Sequence, residues 1–421
     1  MTPSVTSAAE PAYDATPLVV RTVPVTDPGP LLELLPREGA LAWVRRGEGL
    51  VGWGVAARVE TKGTNRFSEA SAWWKAMTGD AVVRDEVQQP GTGLVSFGSF
   101  AFADDPGESV LVIPEVVVGR RGDTTWVTTI SLAAITSSAE VPPTDPPEAP
   151  MGVTFLDGAL SGTEWEAVVA EAVSRINDGD LEKVVLARDL IANADQDVDV
   201  RWPLQRLAES YQMCWTFHVD GLFGATPEML IRRERGLVTS RVLAGTIRRT
   251  GDDARDLALA ATLARSSKDL EEHEYAVRSV ADALAPHCTS MNVPESPFVL
   301  HLPNVMHLAT DVAGVIDDAT TCLELAEALH PSAAVGGTPT EQALSVITEI
   351  EGMDRGRYAG PVGWMDATGD GEWGIALRSA EVRGSTLRLF AGCGIVASSD
   401  PESELAEAQA KFVPVRDAVS S

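Results

Sequence analysis

No run of about 18 apolar residues occurs anywhere in this chain of 421 residues, so a membrane-spanning helix is not expected. Basic residues are scarce: 33 Lys and Arg stand against 61 Asp and Glu, a formal charge of -28. That deficit removes the basic footprint that nucleic acid or an anionic membrane surface requires, so neither is expected as a partner. Cysteine is sparse as well. Cys214, Cys288, Cys322 and Cys393 are widely separated singletons, which fits neither a disulfide framework nor a zinc cluster of short ligand spacing. The segment from Met1 to Pro17 lacks a basic stretch followed by an apolar one, the pattern of an export signal. An acidic cytoplasmic enzyme with reduced thiols is the expectation.

What is present suffices for a large core, with 44% hydrophobic residues. Residues 1–17 are small, polar and acidic and read as a disordered tail. Residues 18–140 read as β-rich: Leu41 to Arg46 and Leu50 to Glu60 flank a Gly-containing turn, and Val116 to Arg121 and Thr124 to Ile130 flank Gly122-Asp123. Residues 141–150 carry five prolines and read as a surface linker. Residues 151–421 form the second region. There Ser161 to Glu164 has a capping signature for a helix reaching Ile176, Lys183 to Ile191 is a continuous β-branched strand, and a helix spans about Arg201 to Tyr211. Strands are expected at Cys214 to Val219, Met229 to Arg233 and Leu237 to Leu243, and helical patterns at about Asp252 to Leu284 and Thr320 to Ala328. A hairpin turns around Thr368 to Gly371, and a strand from Thr386 to Gly394 leads into a final helix with Asp400 as cap and Pro401 in its first turn.

On that final helix Glu404, Glu407 and Lys411 lie at i, i+3 and i+7, which puts two carboxylates and an ammonium on one face. Asp269 and Glu272 repeat the i, i+3 spacing on another helix. Two such helices can bring four carboxylates to one point, and a hard divalent cation is the usual reason to tolerate that; taken alone, both runs also read as solvated acidic faces. Lys183 opens an apolar strand, where a desolvated amine can serve as a base or a lysine can snorkel outward. Glu228 enters the strand Met229-Leu230-Ile231 from Gly224-Ala225-Thr226-Pro227. A carboxylic acid beside an apolar strand can donate a proton, or can simply cap the turn. Gly245 and Gly392 suit the approach of an anion to backbone amides, or a strand bend. Arg378 and Lys411 supply positive charge for a carboxylated substrate, and His307 is a lone histidine in an apolar setting.

In this order and spacing, a series of short motifs closely resembles the chorismate-utilising enzymes, and within them the isochorismate synthases. The motifs are Lys183-Val184-Val185-Leu186-Ala187-Arg188, Gly224 to Glu228, Leu243-Ala244-Gly245-Thr246, Lys268-Asp269 with Glu272-His273, and His307 to Thr310. They continue with Leu329-His330-Pro331, Gly371-Glu372-Trp373 with Leu377-Arg378, Ala391 to Val396, and Glu404 to Glu407. The resemblance runs from about Leu181 to the C-terminus. In the N-terminal third, Phe97-Gly98-Ser99-Phe100-Ala101-Phe102 is the best local match.

The resemblance implies an α/β (α+β) fold in which two antiparallel sheets pack as a sandwich flanked by helices. It implies chorismate as substrate and Mg²⁺ as cofactor, with Glu272 and Glu407 as metal ligands supported by Asp269 and Glu404. Gly245, Thr246, His307, Ala334, Tyr358, Leu377, Arg378, Gly392 and Lys411 would line the substrate pocket. Lys183 would be the base that activates water for attack at C2, and Glu228 the acid that protonates the departing C4 hydroxyl, giving isochorismate for menaquinone or siderophore synthesis. A monomer is expected. Anthranilate synthases lack a lysine at the place of Lys183, and aminodeoxychorismate synthases carry one at the place of Ala244, so both ammonia-using branches are disfavoured. Salicylate synthases share Lys183 and Glu228 and tend to have the equivalents of Tyr358 and Leu377, while Tyr358 to Trp364 and Gly371 to Trp373 resemble isochorismate synthases. A non-catalytic binding protein of this fold is the reading from a different class.

Overall fold

A computed structural model describes residues 17–132 and 145–420. Among the described residues the strands form two sheets, one of 13 strands and one of 10, almost wholly antiparallel. Strands from before and after the Pro-rich segment share both sheets: Leu41–Arg45 pairs with Trp215–Val219 in the larger, and Val95–Ser99 pairs with Pro361–Asp366 in the smaller. The segment therefore joins two stretches of one hydrogen-bonded body. Residues 145–150 have no regular structure, as their prolines dictate; residues 1–16 and 133–144, which include most of the expected tail and the start of the expected linker, lie outside the described residues.

The two sheets face one another across a core of large side chains. Trp43, Trp215 and Phe217 from the larger sheet meet Phe97, Val362 and Trp364 from the smaller, and alternation of inward and outward residues along each strand makes this layering possible. Helices Gly162–Asp178, Arg201–Ser210 and Pro401–Val419 pack together with strands of the larger sheet, and Arg66–Gly79, Ser267–Leu284 and Cys322–Leu329 with strands of the smaller. The expected two-sheet α/β architecture is present.

Several boundaries differ from the sequence reading for identifiable reasons. The expected strand Leu50 to Glu60 is two strands, Glu48–Trp53 and Ala57–Thr61, which lie in different sheets on either side of Gly54 at φ 73°. The long helical pattern from Asp252 breaks into Asp253–Leu263 and Ser267–Leu284, because Ser266 caps the second helix by accepting from the Asp269 amide. Helix Arg66–Gly79, which buries Trp73 and Trp74, has too weak a periodicity to be placed from sequence, and the amphipathic helix Thr340–Ile350, which buries Ala343, Val346 and Ile347, is an addition to the sequence reading. Ser161 forms a complete capping box with Glu164, and Asp400 caps a final helix with Pro401 in its first turn, as expected.

Candidate active site

Two of the places where the chain passes directly from one sheet to the other meet at one cavity. Strand Leu222–Thr226 of the larger sheet ends at Pro227-Glu228, after which Met229–Glu234 belongs to the smaller; Gly371–Ile375 of the smaller gives way at Ala376 to Arg378 to Ser379–Arg383 of the larger. Side chains at such passages look into the gap between sheets rather than into a strand ladder. The cavity holds ≈ 610 Å³ between its walls, open solvent included. Its wall contains every residue assigned from the sequence to substrate: Gly245, Thr246, His307, Ala334, Tyr358, Leu377, Arg378, Gly392 and Lys411, together with Glu228 and Glu272.

Glu228 is buried, its Oε1 3.4 Å from the Leu243 amide that donates to it. Burial pushes its carboxyl up to about 8, against the pull of that amide and of the cations Lys183, Arg378 and Lys411. The group is thus a protonated acid at neutral pH. Lys183 is fully buried at the start of Lys183–Asn193, with Nζ 3.3 Å from Glu272 Oε1 and no hydrogen-bond partner among the described residues. It does not reach the cavity wall itself; Glu272 and Gly394 stand in front of it. The absence of a side chain at Gly394 is what makes the approach possible, because a Cβ there would collide with Glu272 Oε1 and lie 3.1 Å from Lys183 Cε.

Gly245 resolves the choice between strand bend and anion loop in favour of a bulge. The register between Leu237–Arg248 and Val305–Val315 shifts between Ala244 and Thr246, and Gly245 has φ 78° with Asp269 Cβ only 2.9 Å from where a Cβ would sit. The shift puts Thr246 opposite His307, whose Nδ1 is 3.1 Å from Thr246 Oγ1. Arg378, held at φ 49°, brings Nη2 3.1 Å from His307 Nε2. A guanidinium can only donate, so Nε2 accepts and the proton sits on Nδ1. Burial and the Arg378 charge keep His307 well below its usual range, hence neutral. Tyr358 lies parallel to Phe390, ring centroids 5.0 Å apart, and its hydroxyl faces Gly392.

The acidic residues separate into two groups. Glu404, Glu407 and Cys393 have ligand atoms within 4.8 Å of one another, while Asp269 packs against Gly245 and Glu272 against Gly394. Among the described residues no group of three within that distance includes Asp269 or Glu272, so the expected convergence of four carboxylates on one point is not seen. The reason is local: each glutamate has its own ammonium, Glu272 with Lys183 and Glu407 with Lys411 at 2.6 Å, and Lys411 also donates to Gly392 O at 2.8 Å. The face shared by Glu407 and Lys411 is as the i, i+4 spacing predicts. Cys393, set aside in the sequence as an isolated thiol, is the added member of this group. Burial holds it well above the ordinary thiol range, so it stays protonated and is a poor metal ligand. The usable donors are carboxylate oxygens, a set that fits a hard cation.

Sequence reading missed the wall residues Val185, Pro227, Leu243, Val335, Arg355 and Ala359. Apolar residues carry no chemical signal in a sequence, and Arg355 carries a signal only once its buried partner is known.

A family model described as "Chorismate binding enzyme" matches residues 21–420. The chain is 31% identical over 402 residues to the isochorismate synthase MenF of Bacillus subtilis, covering 88% of this chain and 85% of that protein. It is 34% identical over 408 residues to the salicylate biosynthesis isochorismate synthase of Pseudomonas aeruginosa, covering 90% and 85%. The solved structure of MenF, the menaquinone-specific isochorismate synthase from Escherichia coli, superposes with a TM-score of 0.79 at 24% identity, covering 96% of each chain, which shows the same fold. The chain belongs to the chorismate-binding enzyme family.

Proposed function

We propose that the protein is an isochorismate synthase, an isomerase that converts chorismate to isochorismate. The observation that carries this reading is a buried carboxylic acid, held protonated at neutral pH, on the wall of one cavity, with a buried lysine just behind that wall whose Nζ lies 3.3 Å from Glu272. For turnover Lys183 has to be the free amine rather than the cation that faces Glu272 in the resting site; it then takes a proton from water, and the resulting hydroxide attacks C2. The ring double bonds shift, the C4 hydroxyl departs, and Glu228 gives it a proton. One water is consumed and one released, so the reaction is an isomerisation. Lys183 and Glu228 then exchange protons with solvent to return to their starting states.

Arg378 and Lys411 would meet substrate carboxylates, and the Thr246 hydroxyl, whose oxygen lies beside His307 Nδ1, would donate to them without adding charge. Glu272 and Glu407 would have to turn from Lys183 and Lys411 to hold Mg²⁺ together, with Asp269 and Glu404 in support; the ion would neutralise a ring carboxylate that these acidic side chains otherwise repel. The relatives named above include a menaquinone-specific and a salicylate biosynthesis isochorismate synthase, and the product here would feed menaquinone or siderophore synthesis. Tyr358 and Leu377 on the wall favour a second reading, in which pyruvate is also eliminated to give salicylate.

Incubation of the purified protein with chorismate and Mg²⁺, with products resolved by chromatography, tests all of this. Isochorismate alone supports the synthase. Salicylate with pyruvate selects the second reading, and no conversion points to a non-catalytic binding protein.

A further inference from the structure

The strand Lys183–Asn193 pairs with Thr386–Ile395 along one whole edge, from Val184 to Asn193. Its other edge is paired only at the ends, Lys183 and Val184 with Gly337–Thr338, and Leu190 to Asn193 with Thr154–Asp157. Buried backbone groups between these ends still need partners. The Val185 amide donates to Gly336 O at 2.8 Å and the Gly158 amide to Asp189 O at 3.2 Å, and side chains supply three further partners. Arg355 Nη2 donates to Val185 O at 2.7 Å, the Ala187 amide donates to Glu351 Oε2 at 2.8 Å, and Trp165 Nε1 donates to Ala187 O at 3.0 Å.

Glu351 and Arg355 form a rigid unit in that gap. Arg355 Nε and Nη2 donate to the two Glu351 oxygens at 2.7 and 2.6 Å, and Nη1 donates to Val335 O at 2.9 Å. Both side chains are buried, and the guanidinium carbon lies 4.1 Å from the ring centroid of Phe102, in the Phe97 to Phe102 motif of the N-terminal third. A buried ion pair is a weak source of net stability, because desolvation offsets most of its attraction. What this pair supplies instead is a fixed fork, joining the backbone two residues beyond Lys183 to Val335 in the cavity wall.

We propose that Glu351 and Arg355 are positioning residues that stand in for part of a missing strand at Val185 to Ala187 and so set where Lys183 is held behind the wall of the cavity that Glu228 lines. This rests on the acid–base reading given above. Lysine at position 355 can keep the charge but cannot reach Val185 O, Val335 O and both carboxylate oxygens together. In Arg355→Lys, kcat should fall about 10- to 100-fold while KM for chorismate stays within about twofold, the effect of misplacing a reacting group by a fraction of an ångström to an ångström. Glu351→Gln keeps an acceptor for the Ala187 amide and should show a smaller fall of the same kind. Each variant is assayed well below its own Tm, and chorismate binding stoichiometry is measured by equilibrium dialysis to count competent molecules. Should Arg355→Lys not fold, Glu351→Gln decides.

A kcat equal to wild type in the deciding variant overturns the proposal, as does a kcat loss that merely tracks a loss of binding stoichiometry, since that marks a purely structural pair. Lys183→Ala run in parallel separates the two layers. If it turns over chorismate normally, the acid–base reading fails; if it is inactive while Arg355→Lys is normal, the positioning claim alone fails.

Discussion

Replacing Glu228 with Gln and titrating both proteins probes the least ordinary group in the site. Buried, and among the described residues with only the Leu243 amide donating to its carboxyl, Glu228 is raised from 4.5 to about 8. At pH 7 about nine molecules in ten then carry the proton, whereas an ordinary glutamate would carry it in about three of a thousand. The acid form needed for catalysis is therefore about 300-fold more abundant than in solvent. Two signatures follow. The kcat of the wild-type protein should hold up to about pH 8 and then decline about tenfold per pH unit, and Glu228→Gln should lose at least about 10²-fold at every pH. Stability carries the same information with a fixed sign. Because the folded-state value lies above the unfolded one, the contribution of the protonated carboxyl is complete below about 4.5 and is lost as pH rises to about 8. That interval, at about 1.4 kcal/mol per pH unit, comes to about 5 kcal/mol relative to the Gln variant, whose amide does not titrate. Urea unfolding of both proteins from pH 5 to 9 measures it. A difference in unfolding free energy that stays flat across this range, with a kcat limb below pH 6, would refute the buried-acid argument.

Lys183→Ala should abolish turnover, by at least about 10³-fold, and leave chorismate binding measurable by dialysis; activity near wild type would remove Lys183 as the base. Glu407→Gln should raise the Mg²⁺ concentration needed for half-maximal rate at least about tenfold, and chelation of divalent cations should stop the wild-type reaction reversibly, both read in the chromatographic product assay. Gly394→Ala adds a Cβ that collides with the movable end of Glu272 and crowds Lys183 Cε, so kcat should drop about 10²-fold while Tm shifts by only a few degrees. Arg378→Lys loses the donor to His307 and should raise KM for chorismate about tenfold or more. Since His307 is held neutral by burial and by Arg378, neither variant nor wild type should show a histidine limb between pH 6 and 7.

How legible this site was depended on the kind of residue. Lys183, Glu228 and Arg378 carry ionisable groups in apolar surroundings, which is unusual enough to notice in a linear sequence, and the structure brings Glu228 and Arg378 to the wall and Lys183 just behind it. Glu407 and Lys411 were legible through helical spacing, and they form an ion pair. Helix caps at Ser161 and Asp400 were legible for the same reason: a local rule involving three or four consecutive residues decides them. Helix Arg66–Gly79 was not, since its buried residues include Arg66 and its tryptophans pack against other elements, so periodicity is weak where tertiary contacts override it. Nor was the separation of the acidic residues into two groups, which depends on which ammonium each glutamate meets.

By itself, the sequence determined the chemistry available to this protein: which acids, bases and cations exist, on which local element each sits, and, through the order of its motifs, the family. Those are properties of neighbours along the chain, fixed by periodicity, caps and composition. Only the tertiary structure decided that Glu228 is protonated, that His307 is neutral with its proton on Nδ1, and that Glu351 and Arg355 complete the edge of the Lys183 strand. Each of those depends on desolvation and on partners tens to more than a hundred residues away, and neither exists until the two sheets close on one another.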